Sequence, residues 1–232
     1  MNALATGLLM MSTVGVAALG MRQTADVNFT REFPLSQCTF STTGRTSHFV
    51  LEPGHTLNLK DGKGVELTIT VLDATESVGG ITTRVVEERE TENGTLVEIS
   101  RNYFAICDGN KSVFYFGEAV DNYKAGKVIN HNGSWRHGSN GATAGLMMPG
   151  LPLEGARFYQ EVAPKVAMDR AEITATEGKL RTPYGALEHV VETRESSPLE
   201  PGAVELKAYA PGIGIVRDAD LLLVSVKPAP RK

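Results

Sequence analysis

Cysteine is nearly absent from this sequence. Cys38 and Cys107 are the two in 232 residues, which leaves room for one bridge at most and excludes a disulfide-framed mini-scaffold. Basic runs are missing as well: 23 Lys and Arg lie scattered among 27 Asp and Glu, for a formal net charge of −4. The electrostatic footprint of nucleic-acid binding is therefore lacking, and no nucleic-acid partner is expected. After the first twenty residues no stretch sustains the apolar i, i+3, i+4, i+7 rhythm of a helix, so a helical domain is excluded and at most one or two short helices are expected, with Leu153–Tyr159 the one place left open to one. Long apolar runs are confined to the N-terminus.

What remains is ordinary globular material. At 41% hydrophobic and 22% charged residues the chain can build a core and is neither disordered nor collagen-like. Ala3 to Gly20 carries no charged residue, and Leu8 to Leu19 is rich in Leu, Met, Val and Ala. This pattern is that of a signal peptide over residues 1–20, with small residues at Ala18 and Gly20 offering cleavage geometry. Thr6, Gly7, Ser12, Thr13 and Gly15 make the run too polar for a spanning helix, so no permanent membrane span is expected after cleavage. Export to a periplasmic or extracellular compartment follows as an expectation. In an oxidising compartment Cys38 and Cys107 are expected to pair, the alternative being two small buried hydrophobes.

Past a lead-in over residues 21–36, a single β domain is expected over 37–227, with a flexible tail at 228–232. Val65, Leu67, Ile69 and Val71 alternate with Glu66, Thr68 and Thr70, the period of a half-buried strand. Ile81 to Glu90 follows, and Asn93-Gly94 separates it from the alternating run beginning at Thr95, the strongest short hairpin signal. Asp108-Gly109-Asn110 repeats that grammar before Ser112 to Phe116, and Ala125-Gly126 marks another turn. Further strands are expected at Arg157–Val162, Ala167–Thr176, Leu187–Thr193, Val204–Ala210 and Leu221–Val226. Between them, His131 to Gly155 carries six glycines and two prolines and is expected to be a long loop, of the length that is usually functional or disordered. The fold class is all-β and mainly antiparallel, a meander forming a half-barrel, barrel or sandwich.

Chemistry is sparse. His131 and His137, with Met147-Met148 downstream, form a candidate copper site by ligand type, although their spacing fits no single face. Ser134 sits in Gly-Ser-Trp-Arg-His-Gly, which is not the nucleophile elbow Gly-x-Ser-x-Gly. The acidic pairs Glu118 with Asp121 and Asp218 with Asp220 lack the spacing of a calcium loop and are expected to be solvated turns. With no acid, base and nucleophile converging, no catalytic residue is named and no cofactor is expected. The aromatic residues Trp135, Phe114, Phe116, Tyr123 and Tyr159 are the candidate lining of an apolar pocket, against the alternative that they are core.

Several segments carry a resemblance: Tyr103-Phe104-Ala105, Asn110 to Glu118, Gly133-Ser134-Trp135, Thr182 to Glu188, Pro198-Leu199-Glu200-Pro201-Gly202 and Tyr209-Ala210-Pro211-Gly212-Ile213-Gly214. Across roughly Phe33 to Lys227 the chain resembles a family of uncharacterised exported bacterial proteins, which implies no activity and no catalytic residue. The Thr-Pro-x-Gly and Tyr-x-Pro-Gly-x-Gly rhythm is similar to that of bacterial envelope lipoproteins whose sheet curls into a half-barrel around an apolar groove. That similarity implies an envelope role and lipid handling, without the lipid-attachment cysteine.

The function expected from these residues is a non-enzymatic envelope domain that binds a small apolar or amphipathic ligand or a protein partner. A metal-binding protein or hydrolase using the His131–Met148 loop, and a purely structural envelope component, are the alternatives.

Overall fold

The computed structural model describes residues 29–230. The signal-peptide expectation for residues 1–20 falls outside the described residues, as do residues 21–28 of the lead-in and the last two of the tail. Among the described residues the secondary structure is all β apart from one 3-10 turn, Leu35–Gln37. The strands in chain order begin with the short β1 (Phe40–Ser41), β2 (Gly44–Arg45) and β3 (Val50–Leu51), then β4 (Thr56–Lys60) and the long β5 (Val65–Val78), β6 (Ile81–Glu92), β7 (Thr95–Cys107) and β8 (Val113–Lys124). Short strands follow: β9 (Lys127–Asn130), β10 (Trp135–Arg136), β11 (Thr143–Met148), β12 (Arg157–Tyr159) and β13 (Glu161–Val162). The chain ends in β14 (Arg170–Thr182), β15 (Gly185–Ser196), β16 (Glu205–Ala210), β17 (Gly214–Asp218) and β18 (Leu221–Lys227).

Sixteen of these strands form one antiparallel sheet with the path β12-β14-β15-β16-β17-β18-β4-β5-β6-β7-β8-β11-β13, β1 adding to β7 and β9 and β10 to β8, while β2 and β3 pair with each other alone. Its two end strands are separated in the chain by Gln160 alone, so the sheet curls until its ends meet and forms a nearly closed barrel. The turn chemistry sets the register. Asn93 and Gly94 both take positive φ, 49° and 76°, as a two-residue turn matched to the right-handed twist of a hairpin requires.

The expected strand Arg157–Val162 is broken at Gln160, where the chain leaves its pairing with β14 and takes up pairing with β11. Gly145 makes this corner possible: a Cβ there would lie 2.4 Å from the Gln160 carbonyl oxygen. The outer edge of β12 pairs with Thr30 through Thr30 N–H to Arg157 O and Tyr159 N–H to Thr30 O, both 2.9 Å. Residues near the N-terminus thus cover the remaining seam.

Two expectations about local structure are corrected. The stretch His131–Gly155 is not a structureless loop, because β10 and β11 within it pair with β8. The helix near Leu153–Tyr159 is a turn leading into β12, since its residues gain ladder bonds to β14 that an isolated short helix would forgo.

The sheet has two apolar faces. Inside, Leu51, Leu57, Leu59, Ile173, Val190, Val216 and Leu223 fill the lower barrel. The β2–β3 hairpin closes that end from below, with Phe49 5.3 Å from the Phe104 ring, Gly212 N–H bonded to Ser47 O at 2.8 Å and His48 Nε2 3.0 Å from His189 O. Outside, the segment Phe33 to Phe40 straps across β6, β7 and β8, covering Val85, Tyr103, Ala105, Phe114 and Phe116. Phe40 sits edge-on to Phe114 and Phe116 at 5.9 and 5.3 Å. The Cys38–Cys107 disulfide, with an S–S distance of 2.05 Å, and the β1–β7 pairing fasten the strap.

Candidate functional site

Inward-facing residues change character along the strands. From the lower end of the barrel upward, β6 presents Val86, then Glu88 and Glu90, and β7 presents Phe104, then Asn102, Ser100 and Glu98. On the other side β15 presents Val191, Thr193 and Glu195, and β16 presents Tyr209, Lys207 and Glu205. The apolar-to-acidic switch falls at a similar height on all four, because the antiparallel register sets Glu88 opposite Ser100 and Glu195 opposite Glu205. A bulge on β8 keeps the pattern in phase. Asn102 pairs with Glu118 and Phe104 with Tyr115, so both Tyr115 and Glu118 turn inward although an odd number of bonds separates them. Gly117 occupies the bulge at φ +149°, where a Cβ would lie 2.6 Å from the Trp135 carbonyl oxygen.

Above the switch the barrel is unfilled. A cavity of about 300 Å³ is lined by the side chains of eight Asp and Glu residues and one cation, Lys207. Its volume falls at the small end of ligand-binding cavities. The loops 163–169 and 197–204 form its rim, contributing Val166 and Leu199, which remain 47% and 42% exposed. Below, an apolar annex of about 80 Å³ reaches Phe49, Ile69, Val71 and Tyr209 and shares Glu88, Phe104, Met147 and Lys207 with the upper space. The result is a single amphipathic interior with an acidic upper part and an apolar floor.

The charges are unevenly matched. Lys207 Nζ lies 3.2 Å from Asp218 and 3.5 Å from Glu195. Burial disfavours its charge, but these carboxylates outweigh that and hold its pKa well above the ordinary lysine value. Glu195 also accepts hydrogen bonds from Gln160 Nε2 at 3.0 Å and Thr193 Oγ1 at 3.2 Å. Glu161 accepts the Asp169 backbone N–H at 2.6 Å. Among the described residues no cation pairs with Glu88, Glu98, Glu118 or Glu161.

Carboxyls packed together away from bulk water resist ionisation. Burial pushes Glu118 up to about 8, and Glu88 and Glu98 add to the rise. Burial also lifts Glu88 to about 7, reinforced by Asp218 and opposed by Lys207. Glu161 is driven well above the ordinary range by burial and by Asp169. The Tyr115 hydroxyl donates to Asn102 Oδ1 at 2.6 Å, which leaves its oxygen free to accept from a protonated Glu118.

Tyr209 and His55 complete the floor. The Tyr209 hydroxyl, in a residue only 1% exposed, has no hydrogen-bond partner among the described residues. His55 Nε2 lies 2.8 Å from Ile213 O, leaving Nδ1 buried without a partner, and burial lowers its pKa.

The aromatic residues named from sequence are placed elsewhere. Phe114 and Phe116 face outward under the N-terminal strap, because strand alternation sends them opposite to Tyr115. Trp135 is buried behind Tyr115, their rings edge-on at 5.1 Å. Tyr123 lies half-buried on β8 on the face opposite the buried Asn122. Tyr159 is buried at the barrel seam, edge-on to Phe29 at 6.1 Å. None of the five is among the residues lining the cavity; Phe104 and Tyr115, neighbours in the same segments, are.

The candidate ligands His131 and His137 have separate partners. His131 Nδ1, on a largely exposed side chain, lies 2.9 Å from Asp121 and 3.0 Å from Val120 O. His137 Nδ1 accepts the Ala144 N–H at 3.0 Å, and burial lowers its pKa. Ser134 Oγ accepts the Val120 N–H at 2.8 Å. Met147 lines the cavity and Met148 is core. Among the described residues no three His, Cys, Asp or Glu side chains converge in a metal-holding group.

Alternation alone, the pattern by which the strands are recognised, does not distinguish the acidic lining. The usable signal was the change of residue type at constant parity, as in Val86-x-Glu88-x-Glu90. Comparison with protein-family models, with curated proteins and with solved structures gives no match for this chain.

Proposed function

We propose that this protein is a non-enzymatic binding barrel of the bacterial envelope, exported and holding a small amphipathic molecule inside its sheet. The observation that carries the reading is the interior itself: a cavity of about 300 Å³, acidic above, that continues into an apolar annex of about 80 Å³. A protein with a purely structural role gains nothing from leaving such space unfilled, since each void forfeits packing contacts and each buried carboxyl costs desolvation. The Cys38–Cys107 bond supports an oxidising compartment. The resemblance to half-barrel envelope proteins points the same way, with the difference that this sheet curls nearly shut.

Native mass spectrometry of the chain purified from its producing cells, combined with thermal-shift measurements, tests the reading. The expected result is a bound small molecule released on activation, and a higher Tm with at least one short amphiphile. A bare chain whose Tm is unmoved by cationic, anionic and neutral amphiphiles alike would contradict it.

A further inference from the structure

The charge balance inside the barrel narrows the class of occupant. Of the cavity's charged side chains the single cation, Lys207, is already engaged by Asp218 and Glu195 at 3.2 and 3.5 Å. An anionic ligand would have to displace one of these and then face the remaining carboxyls. A single metal ion is equally poorly served, because the carboxyls are distributed around the wall and no three converge among the described residues. Distributed acceptors suit a cation whose own charges are distributed, with several N–H donors to share between them.

Two further features accord with an elongated organic cation. Phe104 and Tyr115, stacked at 4.8 Å, give the acidic part of the cavity one aromatic wall, against which methylene groups and ammonium charge both pack favourably. In the apolar annex, two residues along β16 from the shared Lys207, lies Tyr209, 1% exposed, with its hydroxyl lacking any partner among the described residues. A donor on the occupant satisfies that oxygen, which is otherwise costly to bury.

Building on the reading of the barrel as a small-molecule binder, we propose that its occupant is an aliphatic polyamine, with two or more ammonium groups separated by short methylene runs. The amine lies along the acidic half, its charges set against Glu88, Glu118 and Glu161, and one end reaches the Tyr209 hydroxyl.

Isothermal titration at about pH 7.5 and moderate salt, with spermidine, octylammonium, octanoate and 1-octanol as probes, tests this against the broader reading. Spermidine is expected to bind at one site, at least about tenfold tighter than each of the other three. The Glu118→Gln, Glu161→Gln double variant, which keeps the side-chain shape and the neutral hydrogen bonding, is expected to lose about tenfold in spermidine affinity. Tyr209→Phe is expected to lose a few-fold with its Tm maintained. Preferential binding of octylammonium, octanoate or octanol would overturn the polyamine assignment and leave the binding barrel standing. Spermidine affinity unchanged in the double variant would also overturn it, locating the amine on the outer surface. Failure of all four probes to bind would count against both.

Discussion

The two faces of β6, β7 and β8 carry opposite solutions to the same problem. Outward, Tyr103, Ala105, Phe114 and Phe116 are covered by an apolar strap that is itself clamped by a disulfide. Inward and upward, the same strands present Glu88, Ser100, Glu98 and Glu118 to unfilled space. The outer face is packed for stability, whereas the upper inner face forgoes packing. Since a half-buried carboxyl without a cation partner costs free energy that the rest of the fold must offset, this difference is what the proposal of a binding interior rests on.

The strongest way to break the outer side of this comparison is to remove the clamp. Cys38 and Cys107 close a loop with a sequence separation of 69, for which the loop-entropy relation gives a contribution of roughly 4 kcal/mol. The Cys38→Ser, Cys107→Ser variant is therefore expected to lose about that much stability in chemical denaturation. Loss below about 1 kcal/mol would mean that strap packing alone holds this face.

The inner side is sharpened by pH. Glu88 and Glu118, raised from 4.5 to about 7 and about 8, hold their protons more tightly folded than unfolded. Their stabilising contribution is complete below the unfolded value and is lost as pH rises through the folded one. His55 and His137, lowered from 6.5 by burial, act in the opposite sense on the acid side, where the unfolded chain takes up their protons. The Tm of the ligand-free protein is thus expected to fall by roughly 5 °C between about pH 6.5 and pH 8.5. A Tm that is flat or rising over that interval would contradict the carboxyl placement. The smallest effect is expected from Glu118→Gln, which should flatten the fall between about pH 6.5 and pH 8.5 by about 2 kcal/mol and be nearly silent only below about pH 4.5.

Much of the fold was legible in the sequence. The alternation of Val65 to Val71 and the Asn93-Gly94 turn locate hairpins by local chemistry, and β5, β6 and β7 follow from them. The pairing of Cys38 with Cys107 was legible from their even count together with the expectation of an oxidising compartment. Closure was not, because it depends on Gln160 joining the two end strands and on Gly145 permitting their approach, a contact between residues whose nearness no local pattern encodes. The His131–Gly155 stretch departs from the loop expectation for a related reason: its glycines and prolines signal turns, while its short strands gain stability only by pairing with distant strands, β10 with β8 and β11 with β8 and β13. For the site, aromatics drew attention away from the acids between them. Phe114 and Phe116 are core, and Tyr115 between them is the wall, a distinction that strand parity makes only once one inward residue is known.

The account turns on whether the interior carboxyls are enclosed and unpaired, and Glu118 reports on this most directly. In a ¹³C-labelled sample its side-chain carboxyl resonance can be assigned by comparison with Glu118→Gln and followed through a pH titration of the ligand-free chain. The account predicts a midpoint near 8. A midpoint near the ordinary 4.5 would show the carboxyl solvated or paired, and the acidic cavity would lose its role.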